Sequence, residues 1–352
     1  MHAYIHLDQE RFLDWLTACL AETDLAGIRE AVALFQREVK VLPVNGAEEG
    51  SGLSFRQDVL LEELQQVAES RTLRRARYYL ERLRRSVVEV RTGEVNDINL
   101  NRWKEYDDVL TDSLWLMERR DTSGAHGAWY WGNFVPQIPH QLLLRYTRAG
   151  DWVLDPFVGS GTTLIECRRL GRNGVGLELN PEVAARATDA VMQEPNPMDV
   201  VTDIVVGDST SLDFAATLAG YGVERVHFAL LHPPYHDIIN FDGGPRDLSN
   251  APTVDDFLSQ FSQVVARTLA LLEPGRYFAV VIGDKYQAGA WIPLGFYTMQ
   301  AVMAQGATLK SIVVKNFEKT KAKRAQEALW RYRALVGGFY LFKHEYIFLF
   351  QA

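Results

Sequence analysis

From Trp152 onward the chain reads as short apolar runs set between helical stretches: DWVLD, NGVGLEL, VHFALL, RYFAVVIGD, LKSIVVKN and HEYIFLF. Strand-length runs interleaved with helix-period segments require a mostly parallel sheet covered on both faces. The last two runs have no equally regular crossover between them, so an antiparallel edge strand is expected there. The fold class is α/β, an open twisted sheet. Ligands of such sheets sit outside the carboxyl ends of the strands, which makes the residues at those ends the ones to read for function.

Residues 1–105 read differently. RFLDWLTACLAETDLAGIREAVALFQREV carries apolar residues at spacings of three and four, and a Gly- and Pro-containing break near VLPVNGAEEGSG separates it from a second helical pair. With 47% hydrophobic residues in 352, the chain can bury a full core and an accessory unit beside it. The expected division is a helical accessory domain at 1–105 and a sheet domain at 106–352. Cys19 and Cys167 match no metal or redox spacing, and Cys167, in a helical pattern, reads as a plain buried thiol. The opening MHAYIHLDQERF has no leader pattern and no apolar run approaches membrane-spanning length, so a cytoplasmic location and no membrane partner are expected.

A net charge of −8 argues weakly against general coating of nucleic acid, but two stretches are strongly basic. SRTLRRARYYLERLRR (70–85) is read either as a solvated helix face or as a contact surface. KNFEKTKAKRAQEALWRYRA (315–334) interleaves cations with Trp330 and Tyr332, a mixture suited to phosphate and base contact. Its candidates are Lys315, Lys319, Lys321, Lys323, Arg324, Arg331 and Arg333.

Three strand ends carry chemistry. In VLDPFVGSGTTLIECRRLG the strand stops at Asp155, a turn containing Gly159 and Gly161 follows, and a helix begins near Thr162. Glycines allow close backbone approach to a ligand, and the helix start offers unpaired N–H groups. A dinucleotide site would want a third glycine where Leu164 stands, and a phosphate loop would want Gly-Lys-Ser/Thr, so neither fits. The next strand ends with Glu178, placed to accept from ribose hydroxyls, and the third unit ends VVGDSTSL, where Asp208 can accept from an adenine amino group. A ligand with ribose, adenine and a charged amino-acid tail describes S-adenosylmethionine. Each carboxylate alone is also a common helix cap.

The apolar run VHFALL leads into FALLHPPYHD (228–237). Two prolines cannot donate to a sheet ladder, so the chain must leave the sheet at Pro233 on one fixed path, aiming Tyr235 at the ligand-binding edge.

DPFVGSGTT followed by HPPY resembles the amino-methyltransferases of DNA, which methylate N6 of adenine or N4 of cytosine. The resemblance covers about residues 130–352 and implies a Rossmann-like class I methyltransferase using S-adenosylmethionine on duplex DNA. It implies cofactor contacts from Asp155, Pro156, Phe157, Gly159, Ser160, Gly161, Thr162 and Thr163, from Glu178, Leu179 and Asn180, and from Asp208 and Ser209. NFVPQIPHQLLLRYT (133–147) resembles a further cofactor-side segment, placing Phe134, Pro136 and Gln137 near the methionine moiety. His232, Pro233, Pro234 and Tyr235 occupy the catalytic loop. The cofactor loop precedes the catalytic loop, one of the family's permuted orders.

An exocyclic amino group is a poor nucleophile because its lone pair is delocalised into the ring, so fixed acceptors must hold it for attack on the methyl sulfonium. The Pro233 carbonyl can take one amino proton and the side chain at 232 the other, with Tyr235 stacking on a base rotated out of the duplex. The family usually has Asp, Asn or Ser at that position. His232 accepts only when neutral, and with an unperturbed pKa near ~6.5 its protonation is expected to cut activity on acidification. It is read either as that acceptor or as a cap on the strand. Asp237, Asn240 and Asp242 read as a mobile polar loop, Asp284 and Lys285 as base-pocket or structural residues, and Trp129, Tyr130 and Trp131 as core or as a cover over cofactor or DNA. An RNA base N-methyltransferase and a non-catalytic methyltransferase-like subunit remain as rival functions, and a restriction or defence-system partner, a monomer and a homodimer remain open.

Overall fold

The computed structural model describes residues 3–45, 52–239, 241, 244–317 and 327–352. It divides into two compact units, Met1–Asp108 and Val109–Ala352.

The first unit holds β1 (Tyr4–Asp8), α1 (Gln9–Ala21), α2 (Leu25–Val41), β2 (Gly52–Arg56), α3 (Gln57–Ala68) and α4 (Leu73–Val88). Helix starts are set by side-chain caps: Asp8 accepts from the Arg11 N–H, Asp24 from Gly27 and Thr72 from Arg75. The apolar spacing read from the sequence becomes a core of Phe12, Leu16, Ile28, Val32, Leu60, Leu64 and Leu80. To the mainly helical reading the structure adds the antiparallel β1–β2 pair, which sets Ile5 opposite Phe55. Five-residue strands with two inward residues each give too short an alternation to stand out beside long helices. On α4, Arg82 pairs with Glu63 and Arg84 with Glu81, while Arg74 and Arg85 face solvent. Part of that basic stretch therefore serves the unit itself.

The second unit runs β3 (Leu114–Trp115), α5 (Gln137–Tyr146), β4 (Trp152–Asp155), α6 (Thr162–Leu170), β5 (Asn173–Glu178), α7 (Pro181–Gln193), β6 (Thr202–Val206), α8 (Phe214–Ala219), β7 (Val226–Leu231), α9 (Val254–Leu271), β8 (Leu272–Ile282), β9 (Lys285–Gln287), β10 (Ala290–Ile292), α10 (Leu294–Met303), β11 (Thr308–Asn316), α11 (Glu327–Gly337) and β12 (His344–Gln351). Eight strands form one sheet in the order β3-β11-β12-β8-β7-β4-β5-β6. Only β12 runs against its neighbours in that sheet, and it lies inside the edge, between β8 and β11. The sheet is otherwise parallel, the Rossmann-like class I arrangement.

Side chains alternate across the sheet with period two. Leu154, Ala229 and Leu231 pack on the face covered by Phe257, Phe261 and Val264 of α9. Val153, Phe228 and Leu230 pack on the other face with Ile138 and Leu142 of α5 and Leu164 of α6. After β4 the chain winds outward through β5 and β6, then returns across β4 to β7. That reversal is the topological switch point, and it brings the carboxyl ends of β4 and β7 side by side. Among the described residues, no helix is long and apolar enough to cross a membrane.

Candidate active site

The turn after β4 is built from its own neighbours. Asp155 is buried, accepting from the Phe157 N–H at 3.0 Å and the Thr163 hydroxyl at 2.5 Å, which ties both ends of the turn to one carboxyl group. Burial pushes that carboxyl up to about 7. Gly159 and Gly161 have φ values of +50° and +82°, a region that glycine enters without steric cost. A Cβ at Gly161 would stand 2.7 Å from Val191 Cγ2, and one at Gly159 would stand 2.9 Å from the Tyr130 ring. Glu178, at the tip of β5, is held by the N–H groups of Gly159, Leu179 and Asn180, the last at 3.0 Å, and burial raises its carboxyl. Asn180 also caps α7, accepting from Glu182 and Val183. Asp208 accepts from the N–H and hydroxyl of Thr210 through one oxygen, and the Ser209 hydroxyl donates to the Pro156 carbonyl at 2.5 Å.

The corner after β7 is held from a distance in sequence. Tyr235 donates its hydroxyl to Glu345 Oε2 at 2.8 Å, and its ring lies so close to Gly283 that a Cβ there would be 3.0 Å away. His232 lies against Phe134, ring centres 4.8 Å apart, and meets Tyr235 edge-on at 5.7 Å. Burial lowers the His232 imidazole to about 4, so the ring is neutral throughout the physiological range. The acid limb expected near the ordinary histidine value is corrected accordingly: protonation of His232 belongs near pH 4. Further along the corner, His236 has a φ of +52°; its Nε2 donates to the Ala251 carbonyl at 2.7 Å, while Nδ1 accepts from the buried Lys285 at 2.7 Å. Lys285 also pairs with Asp237, and Asp284 accepts from the Gly295 N–H and the Trp291 indole. Lys285 thus braces the loop that follows the corner, while Asp284 ties β10 to the start of α10. Asn240 and Asp242 lie outside the described residues.

Both turns open on one cleft of about 820 Å3. The sequence reading placed Phe134, Pro156, Phe157, Gly159, Ser160, Thr162, Glu178, Leu179, Asn180, Asp208, Ser209, His232, Pro233, Pro234 and Tyr235 at the site, and all of them line this cleft. Five other expected residues do not. Asp155, Gly161 and Thr163 shape the turn from behind, Pro136 sits at the start of α5, and the Gln137 amide donates to the Arg119 carbonyl at 2.6 Å, with its oxygen accepting from Asp121.

The basic stretch after β11 needs the sharpest correction. Lys315, expected to reach a phosphate backbone, is buried in an ion pair with Glu345 at 3.0 Å and lines the cleft. Its place near the carboxyl end of a sheet strand turns it inward, which a run of cations in the sequence does not disclose. Lys319, Lys321, Lys323 and Arg324 lie outside the described residues. Arg331 and Arg333 are exposed on α11, with Arg333 stacked on Trp330 at 5.0 Å.

Several residues at the cleft had no signal of their own in the sequence. Asn133 donates to the Ser160 hydroxyl at 2.9 Å, and Arg120 clamps the carbonyls of Phe134 and Gly127 at 2.7 and 3.0 Å, fixing the segment that crosses above the glycine turn. On that segment Tyr130 stacks on Phe241 with centres 5.5 Å apart, Trp129 lies under Arg186, and Trp131 is exposed at the cleft. Tyr130 lies against Gly159 of the glycine turn and lines the cleft, and Trp129 packs on Arg186.

A family described as DNA methylase matches residues 56–189, a span that includes the glycine turn and Glu178 and stops short of His232. The chain is 42% identical over 67 residues to the Type II methyltransferase M.MjaII of Methanocaldococcus jannaschii, covering 19% of this chain and 13% of that one. It is 39% identical over 77 residues to M.XycI of Xanthomonas campestris pv. cyanopsidis, covering 22% and 24%, and 37% identical over 82 residues to M.Cfr9I of Citrobacter freundii, covering 23% and 26%. The aligned stretches span about a quarter or less of each relative's length.

Proposed function

We propose that this chain, which belongs to the DNA amino-methyltransferase family, transfers a methyl group from S-adenosylmethionine to the exocyclic amino group of a cytosine or adenine turned out of duplex DNA. The single observation that carries the proposal is that the glycine turn of β4 and the Pro-Pro-Tyr corner of β7 open on the same cleft.

The residues present suit the donor. Gly159 lines the cleft at a φ of +50° without a side chain, so a ligand on the turn meets backbone there, and Glu178 and Asp208 set carboxylates at successive strand ends for hydroxyl and amino groups. The donor supplies a methyl group activated by positively charged sulfur. The protein's part is to present the amino group. Pro233 contributes a backbone carbonyl on a path that Pro234 stiffens, His232 offers a neutral imidazole, and Tyr235 a ring face. An imidazole lowered to about 4 is a weak base, suited to accepting a hydrogen bond from the amino group rather than stripping its proton beforehand. Stacking on an aromatic ring contributes roughly 1–3 kcal/mol, comparable with the few kcal/mol that extruding a base costs.

Residues 1–108 serve in this reading as an accessory module for target recognition, pairing of two copies or docking of a partner, and a restriction nuclease acting on the same sites in the cytoplasm is the partner we propose. The test is incubation with duplex DNA and donor carrying a labelled methyl group, followed by mass analysis of nucleosides. Label on N4 of cytosine or N6 of adenine is expected. Label confined to structured RNA, or a donor that binds without transfer to any DNA, overturns the proposal.

A further inference from the structure

Two buried charges, one from each of two strands, meet the half-buried Tyr235 of the corner. Lys315 of β11 and Glu345 of β12 stand opposite each other in the antiparallel ladder, 3% and 2% exposed, with Nζ and Oε1 3.0 Å apart. Glu345 Oε2 takes the Tyr235 hydroxyl at 2.8 Å. Two rungs along, on the same face of the ladder, Val313 stands opposite Ile347, both apolar; the rungs directly beside the pair are Val314 with Tyr346 and Asn316 with His344. Apolar residues at the Lys315–Glu345 rung would hold the two strands at least as well, because removing two charges from water is costly even when they meet. Yet this rung is charged, and both its members line the cleft together with His232 and Tyr235. The sheet alone does not require it.

We propose that Glu345 is a positioning residue that fixes the Tyr235 ring beneath the everted base, and that Lys315 is its counter-charge, insulating His232 from the carboxylate. The assignment rests on the methyltransferase reading of the cleft and adds to it the device that orients the corner. A tyrosine tethered at its hydroxyl keeps one ring plane, whereas an untethered ring beside a Pro-Pro step is free to turn about its χ angles. The tether must be an acceptor, and a carboxylate accepts more strongly than a neutral group.

The insulating role follows from how these groups are linked. Phe134 and Tyr235 cover His232 without charge; Tyr235 is bonded through its hydroxyl to Glu345, whose other oxygen pairs with Lys315, so the carboxylate favours the protonated ring and the ammonium opposes it. Removing Lys315 leaves Glu345 unopposed, so the acid limb of methyl transfer moves to higher pH. Removing the Glu345 charge moves it lower. A rung with only a packing role gives no such opposite pair.

The experiment measures methyl transfer against pH, kcat and KM for a duplex substrate, and donor affinity by calorimetry, for wild type and for Tyr235→Phe, Glu345→Gln, Lys315→Met and the doubles Tyr235→Phe/Glu345→Gln and Lys315→Met/Glu345→Met. The last double replaces a buried pair by apolar side chains of similar length and is expected to fold even where a single change does not. Tyr235→Phe and the apolar double are each expected to lower kcat/KM by about tenfold, the size of a hydrogen bond to a charged group, with donor affinity kept. Tyr235→Phe/Glu345→Gln is expected to be no worse than Tyr235→Phe alone, since the bond that Glu345→Gln weakens is already gone in Tyr235→Phe. Wild-type rates in the apolar double, multiplying defects in Tyr235→Phe/Glu345→Gln, or acid limbs that shift in the same direction overturn the inference. If wild type itself transfers no methyl to DNA, the reading of the cleft fails instead.

Discussion

The turn after β4 and the corner after β7 stand side by side on one sheet, yet they are made rigid in opposite ways. In the turn, the restraints that set the chain path are local: Asp155, Phe157 and Thr163 are close neighbours in sequence and two glycines supply the backbone angles, with Asn133, Glu178 and Ser209 adding bonds from elsewhere. In the corner, prolines fix the exit, but the groups that aim the side chains arrive from Phe134, Gly283 and Glu345, up to 110 residues away. A ligand held by backbone N–H groups needs a particular chain path, which a short motif can encode. A base gripped by side chains needs partners from several elements, which only the completed sheet assembles.

The contrast predicts where substitution hurts most. Gly161→Ala must place a methyl group 2.7 Å from Val191 Cγ2 at a φ of +82°. Strain from the left-handed backbone costs roughly 1–2 kcal/mol and overpacking roughly another 1–3 kcal/mol. The variant is expected to melt lower and to bind the donor about tenfold or more weakly, read by calorimetry on the folded protein. Unchanged donor affinity would break the comparison, because the turn would then not depend on its backbone.

A smaller and more selective effect is expected at the corner. Tyr235→Ala removes the ring face while leaving the Lys315–Glu345 rung in place. Without stacking worth roughly 1–3 kcal/mol, kcat/KM for DNA falls by about 5- to 150-fold. Donor affinity stays at the wild-type value. A matching fall in donor affinity would show that the two sites are one mechanical unit rather than two.

The same contrast explains what the sequence disclosed. The strand runs, the glycine turn and the Pro-Pro-Tyr corner were legible because each is a local signal: apolar periodicity, left-handed backbone positions, missing N–H donors. Glu178 and Asp208 were legible as strand-end carboxylates. The tether on Tyr235 was not, because Glu345 in HEYIFLF reads as one acid at the start of a strand, and nothing local says that β12 inserts between β8 and β11 to carry it to the cleft. The same insertion turned Lys315 from an expected surface cation into a buried one. Asn133 and Arg120 were hidden for a related reason: their work is to hold a backbone segment across the cleft, and their partners are a hydroxyl and two carbonyls with no pattern of their own. β1 and β2 were missed by length alone.

The weakest expected effect separates the corner's internal charge from charge on its surface. Arg331 and Arg333 are exposed on α11, between the strands that carry Lys315 and Glu345. Arg333 rests on Trp330 and so presents a cation already ordered for a phosphate or a base. Reversing both charges with Arg331→Glu and Arg333→Glu is expected to weaken DNA binding alike at all sequences. It should also flatten the dependence of log affinity on log salt by about one unit for each phosphate that the helix no longer neutralises. Donor affinity and the acid limb of transfer are expected to stay where they are, since neither residue lines the cleft. A salt dependence identical to wild type would take α11 out of the DNA interface and leave the cleft as the region that carries the corner's hold on DNA.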